Sequence, residues 1–304
     1  MVKTGRRPVI FYRGAGLGDI ICTIPAVIEL KKRHPGATFI YNCRKDFSAI
    51  PQLAGLAGLV TSLGPMSSVN HWYGFLLGGY YEFNNGDPML DRPILADFCN
   101  QFGVTAPAGY PILPVNEALH ARADKILQGK NIRTGSLITI HPGPTHHVKE
   151  WPQEKWMQLI ARLGEHGFTN VVQLGISRYQ DKKPVVIEPI PGVVSLVDQL
   201  TLEESVAVVA CARLHIGVDS GLLHVAAATG VSSVGLFGMT LPQRIFPKIS
   251  NQQCVVTRGE CRGCGQYNAA NPYTDDCPHH IRCMHEISVE EVLNACLAGL
   301  KAAQ

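Results

Sequence analysis

Short apolar runs alternate with stretches of helical periodicity along both halves of the chain. In the first half, the run 9–12 (VIFY) precedes a glycine-rich turn, and apolar residues then recur at helical spacing from Ile20 to Leu30. Pro25 falls inside this pattern, so we expect it to kink or restart the helix. Residues 38–42 predict the next strand. This β–turn–α–β order is the building block of a parallel sheet.

The same alternation returns in the second half. After a predicted helix at 116–127, which closes the first half, the pattern predicts strands at 137–141, 171–174, 214–218 and 233–237. It also predicts helices at 152–165, 201–212, 220–229 and from 288 onwards. Two of these helices begin with capping-box spacing, Thr201 before Glu204 and Ser288 before Glu291. The pattern predicts an α/β protein with two doubly wound halves.

The length and a polar break in the pattern divide the chain. At 304 residues, it is long enough for about two domains. We place the first at 1–129 and the second at 130–286, because a polar stretch separates the two apolar patterns there. Residues 287–304 predict a C-terminal helix that packs back across the domains. Ligands bind at the carboxyl ends of parallel strands, so two facing halves should form a site in the cleft between them.

Composition and charge narrow the class of protein. Hydrophobic residues make up 46% of the chain and charged residues 17%, which is a globular composition. The net charge of +3 argues against a protein built to bind nucleic acid. We find no apolar run of the roughly 18–20 residues that a transmembrane helix needs. Arg13 interrupts the N-terminal apolar run too early for a signal peptide. We therefore expect a cytoplasmic protein without a transmembrane segment or a nucleic-acid partner.

The first candidate site is the turn 13–19 (RGAGLGD), directly after the first strand. Gly16 and Gly18 let the backbone turn tightly and approach a ligand. Asp19 falls at a helix N-terminus and at the carboxyl edge of the predicted sheet, which makes it a candidate general base. The alternative role for Asp19 is that of an ordinary capping carboxylate.

The second candidate site is the loop between the strand ending at His141 and the helix beginning at Pro152. Thr145 can donate a hydrogen bond there, and Lys149 supplies a positive charge. Loop amides and a helix N-terminus bind phosphate well, so these residues predict a phosphate site. Three histidines in this stretch suggest a metal, but we favour plain loop polarity.

The third candidate site joins a strand to a helix. Asp219 ends the strand, and Ser220 and Gly221 open the helix, whose free amides favour an anion. His224 lies one turn further on, on the same side as Ser220. The Gly-x-Ser-x-Gly pattern of a hydrolase is missing, so Ser220 is a weak candidate nucleophile. Taken alone, His224 is as well explained as an ordinary helix histidine.

The fourth candidate site is a cysteine-rich finger over 254–285. Cys261 and Cys264 form a C-x-x-C pair, and Cys277 and Cys283 follow before the last helix. Four thiolates on a loop-rich segment match a tetrahedral zinc site, and iron fits the same ligands. Such a closed site is structural rather than catalytic. Cys254, His279 and His280 are spare candidate ligands, and free thiols or a disulfide are the alternatives.

Together these motifs resemble glycosyltransferase family 9, the ADP-heptose transferases of bacterial surface polysaccharide synthesis. The resemblance lies in residues 13–19 with Thr23, Pro25 and Ala26; in 141–143 (HPG) and 149–152 (KEWP); in 219–221 (DSG) with His224 and 226–228 (AAA); and in 236–238 (LFG) with Pro242. It implies the GT-B arrangement, two Rossmann-like domains facing across a cleft. The N-terminal domain would hold the acceptor and the C-terminal domain the nucleotide-sugar.

The resemblance also implies roles for residues. Asp19 is the implied catalytic base, and Asp219 lies by the sugar. The diphosphate is held by Thr145, Lys149, Ser220, Gly221 and His224, with Gly16 and Gly18 also at the nucleotide-sugar site. The implied reaction is inverting transfer of a sugar, heptose from ADP-heptose, to an acceptor hydroxyl on a glycan, a protein or a small molecule. No catalytic metal is expected.

Two stretches depart from the family pattern. After Leu174 and Gly175, residues 176–179 (ISRY) replace the usual glycine and the acidic residue near the ribose. The aromatic segment 72–87, within the irregular stretch 65–92, matches no acceptor pattern.

Two other functions stay open at this point. A nucleotide-sugar epimerase uses the same architecture and needs no acceptor. A non-enzymatic module that binds sugar-nucleotides or nucleic acid would be stabilised by the metal and would use Arg258, Arg262 and Arg282 of the finger as its contact surface. Epimerisation of the donor alone, or binding without turnover, distinguishes these two from glycosyl transfer.

Overall fold

The computed structural model describes residues 7–63, 78–85, 92–143, 146–177, 187–247, 251–267 and 277–302. Within these ranges the chain forms an α/β fold with two parallel sheets, as the apolar pattern predicted. None of the helices in the described ranges is long and apolar enough to span a membrane.

The first half is built around a sheet that, in the described ranges, has four strands. Its elements are β1 (Val9–Arg13), α1 (Leu17–Arg33), β2 (Phe39–Cys43), α2 (Ala49–Leu53), β3 (Leu59–Thr61), β4 (Gly79–Glu82) and α3 (Ile94–Asn100). The strand order is β3–β2–β1–β4. Helix α1 continues through Pro25, so the helix does not restart there. Ile20, Ile24, Val27 and Leu30 of its apolar face are buried, whereas Ile28 is 45% exposed. The buried packing offsets the one backbone hydrogen bond that proline removes.

The second half carries a longer sheet. Its elements are α4 (Glu117–Gln128), β5 (Ile138–His141), α5 (Gln153–Glu165), β6 (Val171–Gln173), β7 (Val194–Ser195), α6 (Leu202–Ala210), β8 (Leu214–Val218), α7 (Gly221–Thr229), β9 (Ser233–Phe237), α8 (Pro242–Ile245), β10 (Gln252–Val256), α9 (Cys264–Tyr267), α10 (Arg282–Glu286) and α11 (Val289–Ala302). The order is β10–β9–β8–β5–β6–β7. After β5 the chain adds β6 and β7 towards one edge of the sheet. It then returns to the centre at β8 and adds β9 and β10 towards the other edge. The point where the direction reverses lies between β5 and β8, and such sheets bind ligands at this switch point.

Both predicted capping boxes are present. Glu204 accepts the Thr201 backbone N–H at 2.8 Å, and the Thr201 hydroxyl accepts the Glu204 N–H at 3.2 Å. The Ser288 hydroxyl accepts the Glu291 N–H at 3.2 Å in the same way. Helices α6 and α11 therefore begin where the sequence indicated, and their orphan amides are satisfied.

The two halves share a buried core. Apolar residues of α1 and of α7 belong to one cluster, which includes Ile20, Ile24, Val225 and Ala226. Helix α11 lies on the second half, where Leu293 and its buried neighbours join the core of the second sheet. The domain bounds at 1–129, 130–286 and 287–304 stay predictions. Where α1 meets α7, the carboxyl ends of β1 and β8 come together, and the candidate site lies at this point.

Candidate active site at the seam of two helix N-termini

Asp19 lies in the first turn of α1, facing the second half. One carboxylate oxygen accepts a hydrogen bond from Arg13 Nη2 at 2.7 Å, and the other accepts the Gly16 backbone N–H at 3.0 Å. The capping contact considered for Asp19 is therefore present. A carboxylate has about four acceptor positions, so these two bonds leave capacity for a further partner. The side chain is 26% exposed, so it is accessible from solvent.

Arg13 fixes Asp19 from behind. It ends β1, is buried, and also donates from Nη1 to the Phe83 carbonyl at 2.8 Å. Its guanidinium stacks over the ring of Phe98, 4.9 Å from the centroid, and contacts the side-chain oxygen of Asn85. Because these contacts hold the Arg13 guanidinium in one orientation, the carboxylate that it binds is also held in one orientation.

A buried ion pair stands at the switch point of the second sheet. Lys149 donates to Asp219 Oδ2 at 2.7 Å, and the Thr240 hydroxyl donates to the same oxygen at 2.7 Å. Burial by itself raises the pKa of Asp219. The Lys149 ammonium and the hydrogen bonds outweigh that effect, so the pKa lies below its ordinary value and the carboxylate stays ionised.

The N-terminus of α7 lies beside this pair. Ser220 precedes the helix in an extended conformation, and its hydroxyl shares a 2.7 Å hydrogen bond with His141 Nδ1 at the end of β5. Burial lowers the pKa of His141 to about 4, so its imidazole is neutral near pH 7. The free amides of α7 and the Lys149 ammonium thus converge on one edge, a suitable environment for a phosphate.

The two helix N-termini touch through reciprocal glycine contacts. A Cβ placed on Gly18 would lie 2.4 Å from the ring of His224, and one placed on Gly221 would lie 2.8 Å from Leu17. Each glycine thereby admits a side chain from the opposite half. The close approach places the Asp19 turn directly against the Asp219–Gly221 turn.

Electrostatics links the same residues. Burial lowers the pKa of His224, while the carboxylates of Asp219 and Asp19 oppose that shift and the Lys149 ammonium adds to it. The carboxylates of both glycine turns, Asp19 and Asp219, therefore influence the pKa of the same imidazole. The structure brings Gly16, Gly18, Asp19, Lys149, Asp219, Ser220, Gly221 and His224 together at one seam. Thr145 lies outside the described residues.

The predicted cysteine finger begins inside strand β10, which contains Cys254, and its residues 268–276 lie outside the described residues. Its described part packs on the loop after β9, where the Gly263 and Gly265 N–H groups donate to the Gly238 and Met239 carbonyls at 2.9 Å. Ile281, Cys283 and Met284 are buried in the core of the second half. Trp151 Nε1, just before α5, and Lys155 Nζ, in α5, donate to the Ile287 carbonyl at 3.0 and 2.8 Å, which holds the chain just after this segment to α5. Among the residues that the structure describes, no three His, Cys, Asp or Glu side chains are grouped closely enough to hold a metal ion.

Comparison with known families decides the class of enzyme. Residues 84–273 match the family described as glycosyltransferase family 9 (heptosyltransferase). The chain belongs to glycosyltransferase family 9. The resemblance predicted from the motifs is confirmed, and of the three functions left open by the sequence the protein has the glycosyltransferase one.

Individual relatives agree with this assignment. The lipopolysaccharide heptosyltransferase 1 of Salmonella typhimurium (strain LT2) is 30% identical over 293 residues, covering 80% of this chain and 92% of that protein. The crystal structure of a family 9 glycosyltransferase from Veillonella parvula superposes with a TM-score of 0.71 at 16% identity, covering 99% of both chains. The iron-containing dodecameric glycosyltransferase TibC from enterotoxigenic E. coli H10407 gives 0.73 at 17% identity, covering 98% of this chain and 77% of that one.

Several residues of this family 9 site escaped the sequence analysis. Arg13 is part of the motif 13–19 but was given no role. Its position at the end of the first strand was the only sign that it contacts the site. Thr240 is two residues beyond the quoted LFG stretch, and no periodicity distinguishes it. A buried ion pair between Arg244 of α8 and Asp97 of α3 ties the two halves together beside the seam, and neither residue belongs to a recognisable motif.

The first prediction concerns the close approach of the two turns in this family 9 enzyme. Gly18→Ala should lower stability by about 1–3 kcal/mol, the usual cost of overpacking, and should also reduce transfer activity. The reason is that the added methyl occupies the space of the His224 ring. Urea unfolding and an activity assay measure the two effects. Gly135→Ala is the matched control, since a Cβ there meets nothing within 4 Å. Equal stability of both variants would contradict the close contact between Gly18 and His224.

Proposed function

We propose that this family 9 enzyme transfers heptose from ADP-heptose to an acceptor hydroxyl with inversion at the anomeric carbon. The observation that carries the proposal is the seam itself, where an accessible carboxylate on one helix N-terminus faces a lysine-bearing anion site on the other. A single displacement needs these two features, a base for the acceptor and a charge-stabilising site for the leaving group.

Asp19 acts as the general base. It removes the proton from the acceptor hydroxyl while that oxygen attacks the anomeric carbon from the face opposite the leaving group. The new bond between the acceptor oxygen and the anomeric carbon forms as the bond to the phosphate oxygen breaks. Arg13 keeps the Asp19 carboxylate oriented, so the base is in place before the acceptor binds.

The second half stabilises the leaving group. Negative charge develops on the diphosphate as the sugar departs, and the Lys149 ammonium, the α7 amides and Ser220 lie at the edge where it would rest. Thr145, which falls outside the described residues, belongs to the same proposed cradle. Asp219 positions Lys149 and, with Thr240, forms the floor beside the sugar.

The donor is proposed from the relatives. TibC has been crystallised in complex with ADP-D-β-D-heptose, a structure that superposes on this chain with a TM-score of 0.70. The Salmonella relative is named a lipopolysaccharide heptosyltransferase. An ADP-linked heptose is accordingly the donor that we propose, and the acceptor is a glycan, a protein hydroxyl or a small molecule.

A donor panel tests this proposal. Calorimetry with ADP, UDP and GDP, followed by transfer assays with the matching sugar nucleotides, should single out ADP and ADP-heptose. Preferred binding of UDP or GDP would overturn the donor. Conversion of the donor to its epimer without an acceptor would overturn the reaction.

We further propose that the cysteine finger holds a structural zinc or iron ion through Cys261, Cys264, Cys277 and Cys283. Burial raises the pKa of Cys283 to about 12, and the thiols of Cys264, Cys277 and Cys261 add to the shift, which supports a common site for the four. Four sulfur donors fit a tetrahedral site for either ion. TibC is described as iron-containing, which supports iron as one of the two candidates.

The prediction for this site is a loss of metal with loss of one thiol. Cys264→Ser should lower the metal content from about one ion per chain to none and should lower the melting temperature, because metal binding supplies folding energy to such segments. Elemental analysis of protein purified without added metal measures the first effect. Cys254→Ser, in the same segment, is the control and should keep the ion. Metal-free wild-type protein with four freely titrating thiols would contradict the site.

A further inference from the structure

A buried cluster of side chains stands behind the seam. Tyr110, on the connection between α3 and α4, hydrogen-bonds through its hydroxyl to His224 Nδ1. The same hydroxyl lies 3.4 Å from the Sγ of Cys22 on α1. The ring of Phe246 closes the cluster, 4.9 Å from His224 and 5.1 Å from Tyr110 between centroids. Tyr110 therefore touches both halves of the enzyme at once.

The distances in this cluster leave the direction of its hydrogen bonds open, and the chemistry of the groups favours one direction. Burial raises the pKa of Tyr110 and raises that of Cys22 to about 12, and it lowers the pKa of His224, so all three are neutral. A neutral imidazole offers one acceptor nitrogen, whereas a thiol sulfur is a weak acceptor. These acceptor strengths favour a phenol proton on the Nδ1 side and a thiol proton on the phenol oxygen side. In this arrangement the imidazole proton resides on Nε2.

The opposite edge of the imidazole faces the site. A Cβ placed on Gly18 would lie 2.5 Å from Nε2 of His224. Gly18 is next to Asp19 in the first turn of α1, and His224 is one turn from Ser220 in α7. Nε2 thus stands at the meeting point of the proposed base and the proposed diphosphate site.

We propose that Tyr110 is a positioning residue whose hydroxyl holds His224 in the Nε2–H tautomer, so that an N–H donor rather than a lone pair meets the leaving diphosphate. The other tautomer would turn the Nε2 lone pair towards phosphate oxygens and repel them. This inference rests on the proposed function, since it assigns the diphosphate to that side of the seam.

Nitrogen NMR measures the tautomer directly. Protein labelled with ¹⁵N-histidine, with the His224 signals assigned by their loss in His224→Gln, should show a protonated Nε2 near pH 7. Tyr110→Phe should shift His224 towards the Nδ1–H form. It should also lower kcat about 10- to 100-fold while the donor KM changes less than about 3-fold, because the lost donor acts mainly on charge that develops in the transition state.

Tyr81→Phe is the matched control. It removes an equivalent hydroxyl, which bonds His34 Nε2 at 2.7 Å beyond the C-terminal end of α1, far from Asp19. It should leave kcat within about twofold and the His224 tautomer unchanged.

An Nδ1–H tautomer in the wild-type protein would overturn the proposal, and so would unchanged kcat and tautomer in Tyr110→Phe. The wild-type spectrum decides the tautomer even if the variant fails to fold. Because that spectrum is recorded without donor or acceptor, an absence of glycosyl transfer would count against the proposed function and not against the Tyr110 contact.

Discussion

Asp19→Asn should reduce turnover by about 10²–10⁴-fold and leave donor affinity near that of the wild type. Asparagine keeps the shape and can still accept the Gly16 N–H, but it cannot accept a proton at neutral pH. The measurement is steady-state transfer with saturating donor, together with calorimetry of ADP binding to the variant.

A second aspartate serves as the control for this effect. Asp46 is also 26% exposed and is likewise paired with an arginine, Arg44, at 3.1 Å, but it belongs to the short turn after β2 and to neither glycine turn. Asp46→Asn should keep full turnover. If Asp19→Asn turned over donor as fast as Asp46→Asn, Asp19 would be only the capping carboxylate of α1.

Lys149→Ala should weaken ADP binding about 10- to 150-fold, which corresponds to roughly 1.5–3 kcal/mol for a charge-assisted hydrogen bond. The loss has two sources. The diphosphate loses a cation, and Asp219 is left buried without its ion pair, so its negative charge repels the ligand.

The double variant Lys149→Ala/Asp219→Asn separates these sources, because it removes the repelling charge as well. We expect its ADP affinity to lie between those of Lys149→Ala and the wild type. Lys130→Ala, whose exposed ammonium contacts Gln199, controls for a simple change in net charge and should bind ADP normally. Equal ADP affinity in Lys149→Ala and the wild type would show that the loop after β5 is not part of the diphosphate site.

The periodic parts of the fold and site could be predicted from sequence. Lys149 and Asp219 each follow a strand of the second sheet with a clear apolar pattern, and parallel strands end at a common edge, so their convergence followed from the pattern. Asp19 follows β1 of the first sheet in the same way, so its place at a carboxyl edge was predictable too. Strands β8 and β9 have the predicted bounds for the same reason. Both are wholly buried and are flanked by polar or glycine residues.

The contacts between the halves could not be predicted in this way. Tyr110 stands in a proline-rich connection without periodicity, and its partner His224 lies 114 positions further along the chain. Strand β4 was missed because Gly79–Glu82 is half-buried throughout, without the alternation that marks a strand. The seam depends on how two separate sheets meet. That arrangement is decided by many apolar contacts between α1 and α7, and no short motif marks them.

The most direct measurement follows labelled sugar from ADP-heptose. The protein is incubated with the labelled donor and an extract of its source organism from which this protein is missing, and released ADP is compared with label in the acceptor fraction. The account predicts equal amounts of both, with neither formed by Asp19→Asn. Donor left intact by the wild type, or a sugar altered while still attached to ADP, would contradict it.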